Sequence, residues 1–118
     1  MKLHEYQAKR ILAQFGIPVP KGAAIENTDQ IGAALSQTGL PAAIKAQVLV
    51  GGRGKAGGIK VAHNKVQAEE FARQILAMKI KDLPVKKLLV EQALDIAQEY
   101  YLGITVDRAS KSNILIFS

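Results

Sequence analysis

No cysteine occurs among the 118 residues, which removes disulfides, thiolate metal sites and a thiol nucleophile together. That fits a reducing compartment, and a cytoplasmic location is the expectation. No apolar run approaches the roughly 20 residues of a membrane-spanning helix, and no signal-like leader precedes the first helical pattern, so no membrane is expected. Aromatic residues are scarce at 5%, and no basic stripe is interleaved with stacking side chains. The formal charge of +6 therefore does not by itself indicate nucleic acid, which is disfavoured as a partner. Internal repeats are absent as well. The length allows at most one small domain, with an apolar share ordinary for a folded chain.

What the sequence has in excess is glycine in one place. Gly51-Gly52-Arg53-Gly54-Lys55-Ala56-Gly57-Gly58 holds five glycines and two cations. Glycine costs backbone entropy on folding, so such a run persists where the main chain bends sharply or approaches something closely. Its unencumbered N–H groups beside Arg53 and Lys55 suit a nest for phosphate oxygens. The same composition also suits a surface loop whose cations are merely solvated.

Two familiar phosphate loops are excluded. Gly52, Gly54 and Gly57 match G-x-G-x-x-G, but that fingerprint needs a helix opening inside the loop, and here Ile59–Ala62 reads as a strand. Gly54-Lys55-Ala56 lacks the Walker hydroxyl, and Leu49 stands where that motif requires glycine. The remaining reading is strand, glycine flap, strand: a lid over phosphates of the kinase type.

Along the chain, Leu3–Phe15 reads as an amphipathic helix stopped by Gly16, and Gly22–Ile25 as a short strand. Thr28 is placed to cap a helix running to Gln37, with Gly39 as its stop. Ala42–Val50 reads as a strong strand whose alternation puts Ala43, Lys45 and Gln47 on one face and Ile44, Ala46 and Val48 on the other. Lys45, just before the glycine loop, either reaches a ligand or faces solvent, and the pattern leaves both open. Asn64 and Gln67 resemble a capping box for a helix from Lys65 to Met78, with Val66, Phe71, Ile75 and Met78 as its apolar face. Lys87–Glu91, Tyr100–Asp107 and Asn113–Phe117 read as strands. His4 and His63 belong to helix starts, and neither has a second ligand at metal-binding spacing. The last strand stops at Ser118 without a polar tail, which leads to the expectation that the 118 residues are one piece of a longer chain.

Four blocks carry a family resemblance: Leu3-His4-Glu5-Tyr6-Gln7-Ala8-Lys9; Lys45-Ala46-Gln47; Gly51–Gly58; and Leu89-Val90-Glu91 with Asp95–Gly103. In this order they resemble the N-terminal portion of the succinyl-CoA synthetase β subunit. Malate–CoA ligase and the citrate-activating enzymes share much of the pattern. The resemblance implies an α+β fold of the ATP-grasp type, with a mixed or antiparallel sheet and flanking helices, residues 1–118 being the N-terminal part of that domain. It implies an ADP-forming ligase that makes succinyl-CoA from succinate, CoA and ATP, with GTP as the other candidate nucleotide. Phosphate would pass through a phosphohistidine on a partner α subunit, so neither His4 nor His63 is that residue.

Carried over by position, Lys45 resembles the lysine that contacts nucleotide phosphate, and Gly52, Arg53 and Gly54 the flap that closes on it. Glu91 resembles the residue at the adenine hinge, and Glu99 the acid for the ribose hydroxyls. Leu94 stands at a further hinge contact where relatives often carry a smaller or polar residue, and Pro20 agrees with the ATP-using bacterial type. Mg²⁺ ligands are expected beyond Ser118, and the segment alone is expected to be inactive. Two other readings remain: a protein-interaction module that handles no nucleotide, and a binder of single-stranded nucleic acid through the basic loop.

Overall fold

The computed structural model describes residues 1–118. Its elements run α1 (Glu5–Gln14), β1 (Gly22–Ile25), a 3₁₀ turn (Thr28–Gln30), α2 (Ile31–Thr38), β2 (Ala42–Ala46), β3 (Ile59–Ala62), α3 (Lys65–Leu76), β4 (Lys79–Ile80), β5 (Leu83–Pro84), β6 (Leu88–Gln92), β7 (Leu102–Asp107) and β8 (Ser112–Phe117). Four of the strands make the central sheet, in the order β1–β6–β2–β3, and every neighbouring pair is antiparallel. The expected α+β class therefore holds, with the antiparallel arrangement realised.

Period-2 alternation decides what each side of that sheet carries. Ile44 and Ala46 of β2, Ala62 of β3 and Leu88 and Val90 of β6 point into a core shared with Ile31 and Ala34 of α2 and Ala68, Ala72 and Ile75 of α3. Alanines at the helix and strand contacts let α2 and α3 lie close to the sheet, while the isoleucines fill the space between. Burying one such large aliphatic side chain contributes about 1.5–3 kcal/mol.

Several local expectations are corrected. The strand that begins at Ala42 stops at Ala46, not Val50, because its neighbour β3 starts only after the glycine loop and Gln47 N donates instead to Lys87 O at 2.9 Å. Thr28 is not a helix cap: it opens the 3₁₀ turn, and the Gln30 side chain accepts from Glu26 N at 2.7 Å before α2 begins at Ile31. Asn64 does cap α3, accepting from Gln67 N at 2.8 Å, but the Gln67 side chain accepts in return from His63 N, not from Asn64 N. Val66 is 75% exposed, since the buried stripe of α3 is Ala68, Ala72 and Ile75. Lys79–Pro84 is a small β4–β5 hairpin where a connection was expected.

The other surprise is α1. It forms as the pattern predicts, yet none of its residues is buried, and Phe15 is 80% exposed. The helix is fixed by its polar side: Tyr6 N donates to the Gln47 side chain at 3.1 Å, and Glu5 and Lys9 pair with residues of the sheet and the glycine loop.

β7 and β8 form a separate two-stranded sheet, paired from Leu102–Phe117 to Asp107–Ser112. Asp107 closes its turn, accepting from Ala109 N at 3.1 Å and from the Ser110 hydroxyl at 2.7 Å. Its apolar side chains, Ile104, Val106, Leu115 and Phe117 among them, are exposed.

Candidate functional site

The side of the sheet turned away from the core holds the site. Ala43 and Lys45 of β2, Ile59 and Val61 of β3 and Glu91 of β6 alternate with the core residues of the same strands. With Pro20, Gln92, Ala93, Leu94 and Ile96 they line a cavity of about 370 Å³. Lys45, Glu91 and Leu94, which come from distant parts of the sequence, thus meet in one hollow. The register explains the meeting: Ala43 lies opposite Glu91 and Lys45 opposite Leu89, so the lysine and the carboxylate are diagonal neighbours on one face.

Lys45 is not a solvent-facing strand lysine. Its ammonium pairs with Glu91 Oε1 and lies 3.1 Å from Glu5 Oε1. Lys9 Nζ joins the same two acids, 2.8 Å from Glu5 and 2.6 Å from Glu91 Oε2. The Arg53 guanidinium completes the group at 2.7 Å from Glu5 Oε2, and it also donates to Ala46 O at 2.9 Å. Three cations face two carboxylates, a formal balance of +1. Glu91 is 4% exposed, a depth at which a carboxylate survives only when paired.

Burial opposes the charge on Glu5, but hydrogen bonds from Lys9 and Arg53, with the charges of Lys45 and Lys9, outweigh it and hold its carboxyl at about 2, below the ordinary 4.5. Burial likewise acts against the Lys9 ammonium, and the hydrogen bonds to Glu5 and Glu91 overcome it and raise its pKa.

The glycine loop is firm at its base and open at its tip. Ala46 N donates to Gly58 O at 2.7 Å and Gly58 N to Arg53 O at 2.8 Å, which closes the loop. A Cβ on Gly58 would stand 2.7 Å from Ile80 Cδ1 and 3.1 Å from Arg53 O, so this position has no room for a side chain. Gly52 and Gly57 take positive φ of 80° and 81° at the two bends, the left-handed region that only glycine enters freely. Around Gly51 and Gly54 a Cβ would meet nothing within 4 Å. None of the amides from Val48 to Lys55 donates to a main-chain carbonyl, which leaves a run of N–H donors along the loop that carries Arg53, although Gly52, Arg53 and Gly54 do not themselves line the cavity.

Glu99 is not brought to this cavity. It lies on the connection between β6 and β7 and lines a separate open hollow of about 600 Å³ with Tyr100, Tyr101 and Ser118. No group of three or more His, Cys, Asp or Glu side chains is placed to hold a metal ion. The two acids nearest the cavity, Glu5 and Glu91, are already saturated by cations, so the donor set here does not fit Mg²⁺. His4, which directly precedes Glu5, and His63, which precedes the cap of α3, take no part in the ion pairs of the cluster.

Glu5 and Lys9 were not foreseen as site residues. Their i,i+4 spacing marks them as a helix pair, but nothing local shows that this pair lands on Lys45, Glu91 and Arg53.

An antiparallel sheet carries α2 and α3 on one side and, on the other, a hollow with Lys45 and Glu91 in its lining. The chain belongs to the ATP-grasp family: the ATP-grasp domain matches residues 2–118. It is 52% identical over 118 residues to the β subunit of a GDP-forming succinate–CoA ligase from Thermus thermophilus, and 50% identical to that of an ADP-forming succinate–CoA ligase from Halorubrum lacusprofundi. The expected resemblance therefore holds along the whole chain. Each match covers 100% of this chain and 31% of the relative, so the chain spans about a third of those proteins' length. Among solved structures, the dinucleotide-forming acetyl-coenzyme A synthetase 1 of Ca. Korarchaeum cryptofilum superimposes with a TM-score of 0.86 at 19% identity, over 99% of this chain and 53% of that one. Phosphoribosylamine–glycine ligase from Thermotoga maritima gives 0.65 at 17% identity, over 97% of this chain and 27% of that one. At such identities the likeness is one of fold. No helix is long and apolar enough to cross a membrane.

Proposed function

We propose that this chain is the N-terminal, nucleotide-binding part of an acid–CoA ligase that joins succinate to CoA at the expense of ATP. The observation that carries the reading is Lys45: a strand lysine beside the glycine loop, in the same cavity as Glu91 and Leu94. In this reading its ammonium meets phosphate, and the loop amides without main-chain acceptors offer further donors. In this assignment Lys45 and Arg53 take the phosphates and Gly52–Gly54 close over them. Glu91 holds Lys45 in position at the base of the cavity, beside the hinge where Leu94 meets the base. Glu99 takes the ribose hydroxyls once the connection carrying it approaches the cavity.

The relatives include GDP-forming and ADP-forming ligases at similar identity, and Pro20 on the cavity wall is the residue we assign to a preference for adenine. Mg²⁺ ligands, the opposing half of the clamp and a histidine-bearing α subunit belong to the remainder of the enzyme, in the cytoplasm. Phosphoryl transfer needs positioned metal and a second surface to exclude water, so the 118 residues alone bind nucleotide without turning it over.

In the full-length enzyme, Lys45→Ala and Arg53→Ala should each lower kcat/KM for ATP by roughly 100-fold, the scale of a lost charge-assisted contact in a reacting site. Wild-type kinetics in both variants would dispose of the assignment.

A further inference from the structure

Of the two carboxylates in the cluster, one is built in and the other is not. Glu91 sits in a central strand, bonded on both sides and almost fully buried. Glu5 sits in the first turn of α1, a helix with no buried residue, tied to the sheet by the Tyr6 N–H bond to Gln47 and by the ion pairs of Glu5 and Lys9. Yet it is Glu5 whose two oxygens span the cations that the site offers to phosphate, Arg53 at 2.7 Å and Lys45 at 3.1 Å.

We propose that Glu5 is an internal stand-in for phosphate: it occupies Arg53 and Lys45 before nucleotide arrives and must yield Arg53 to the incoming polyphosphate. The proposal rests on the assignment of those two cations to phosphate made above. A phosphate oxygen bound to both would lie close to the Glu5 carboxylate, and two anions cannot share the position without repulsion. The handover strands no charge. When Glu5 moves, Lys9 remains its partner one turn along the same helix, at 2.8 Å, while Glu91 keeps Lys45 and Lys9. Arg53, whose other partner is the neutral Ala46 carbonyl, is the cation left free to turn to the ligand. The carboxyl's low pKa, about 2, means that it competes as a full anion at physiological pH. Glu5 thereby sets a threshold. A weak single anion does not dislodge it, and a polyphosphate with several contacts does.

Isothermal titration of the full-length enzyme with tripolyphosphate, Mg-ATP and adenosine tests this. Glu5→Gln should bind tripolyphosphate roughly five- to tenfold more tightly than wild type and adenosine equally well. A purely structural glutamate would give weaker binding or none of this selectivity. The paired variant Glu5→Gln/Lys9→Gln leaves the net charge of the cluster as in wild type, and it serves as the second variant if the single one folds poorly. It too should bind tripolyphosphate more tightly. Equal or weaker binding by the variants, with wild type binding normally, overturns the gate alone. Failure of wild type to bind either phosphate ligand overturns the nucleotide assignment and the gate with it.

Discussion

The two faces of one sheet differ more than any two elements of this chain. Ile44 and Lys45 are consecutive, as are Val90 and Glu91, yet the first of each pair lies in a dry core under α2 and α3 and the second in a charged cluster under α1. On the core face, helices are held by buried alanine and isoleucine, and stability is a matter of packing. On the other face, a helix is held by ion pairs and hydrogen bonds, and its Ile11 and Leu12 remain exposed. A helix attached in this way can shift without unfolding the domain, because little hydrophobic burial is lost. The chain therefore keeps its stability and its chemistry on opposite sides of the same strands.

Substitutions that act on one face alone sharpen the contrast. Ile44→Ala should be the most destabilising, by about 2–5 kcal/mol in chemical denaturation, with nucleotide affinity of the folded protein intact. Gly58→Ala lies between the faces. Its new methyl must push against Ile80 and the Arg53 carbonyl, costing about 1–3 kcal/mol and loosening the base of the glycine loop, read as weaker nucleotide binding.

Acid should release the charged face first. The stabilisation from ionised Glu5 is fully present above 4.5, the ordinary carboxylate value, and is lost as pH falls from there through about 2. Hydrogen exchange at α1 amides should accelerate across that window before the β2 and β6 amides change. The raised Lys9 acts in the opposite sense, its contribution being present below 10.5 and lost as pH rises through its higher folded value. Val66→Ser, on the exposed side of α3, should change stability by less than about 0.5 kcal/mol, and a larger loss would mean that the core face extends further than the burial of Ala68, Ala72 and Ile75 indicates.

Much of this arrangement was legible in the sequence. Alternation in Ala42–Ala46 placed Lys45 and Ile44 on their correct faces, and Gly39 and Asn64 ended and began helices as their residue types require. The strand–loop–strand reading of residues 42–62 followed from the glycines together with the β-like runs on either side of them, although Ala46 ends the first strand early. What stayed hidden depends on tertiary contact. The stripe of α3 is largely alanine, too weak an apolar signal to outrank Val66. The role of Glu5 and Lys9 exists only because α1 crosses β2 and β6, which no local pattern records. Glu99 was assigned by resemblance, and its distance from the cavity reflects an irregular connection whose course the sequence does not specify.

The central claim is that Lys45 belongs to a nucleotide site and not to the packing of the domain. Thermal unfolding of the full-length protein with and without Mg-ATP, for wild type and Lys45→Ala, measures it directly, since a ligand of the folded state must raise the midpoint. The account predicts a clear upward shift in wild type and almost none in Lys45→Ala, each measured against its own nucleotide-free midpoint. An equal shift in both proteins, or none in either, would contradict it.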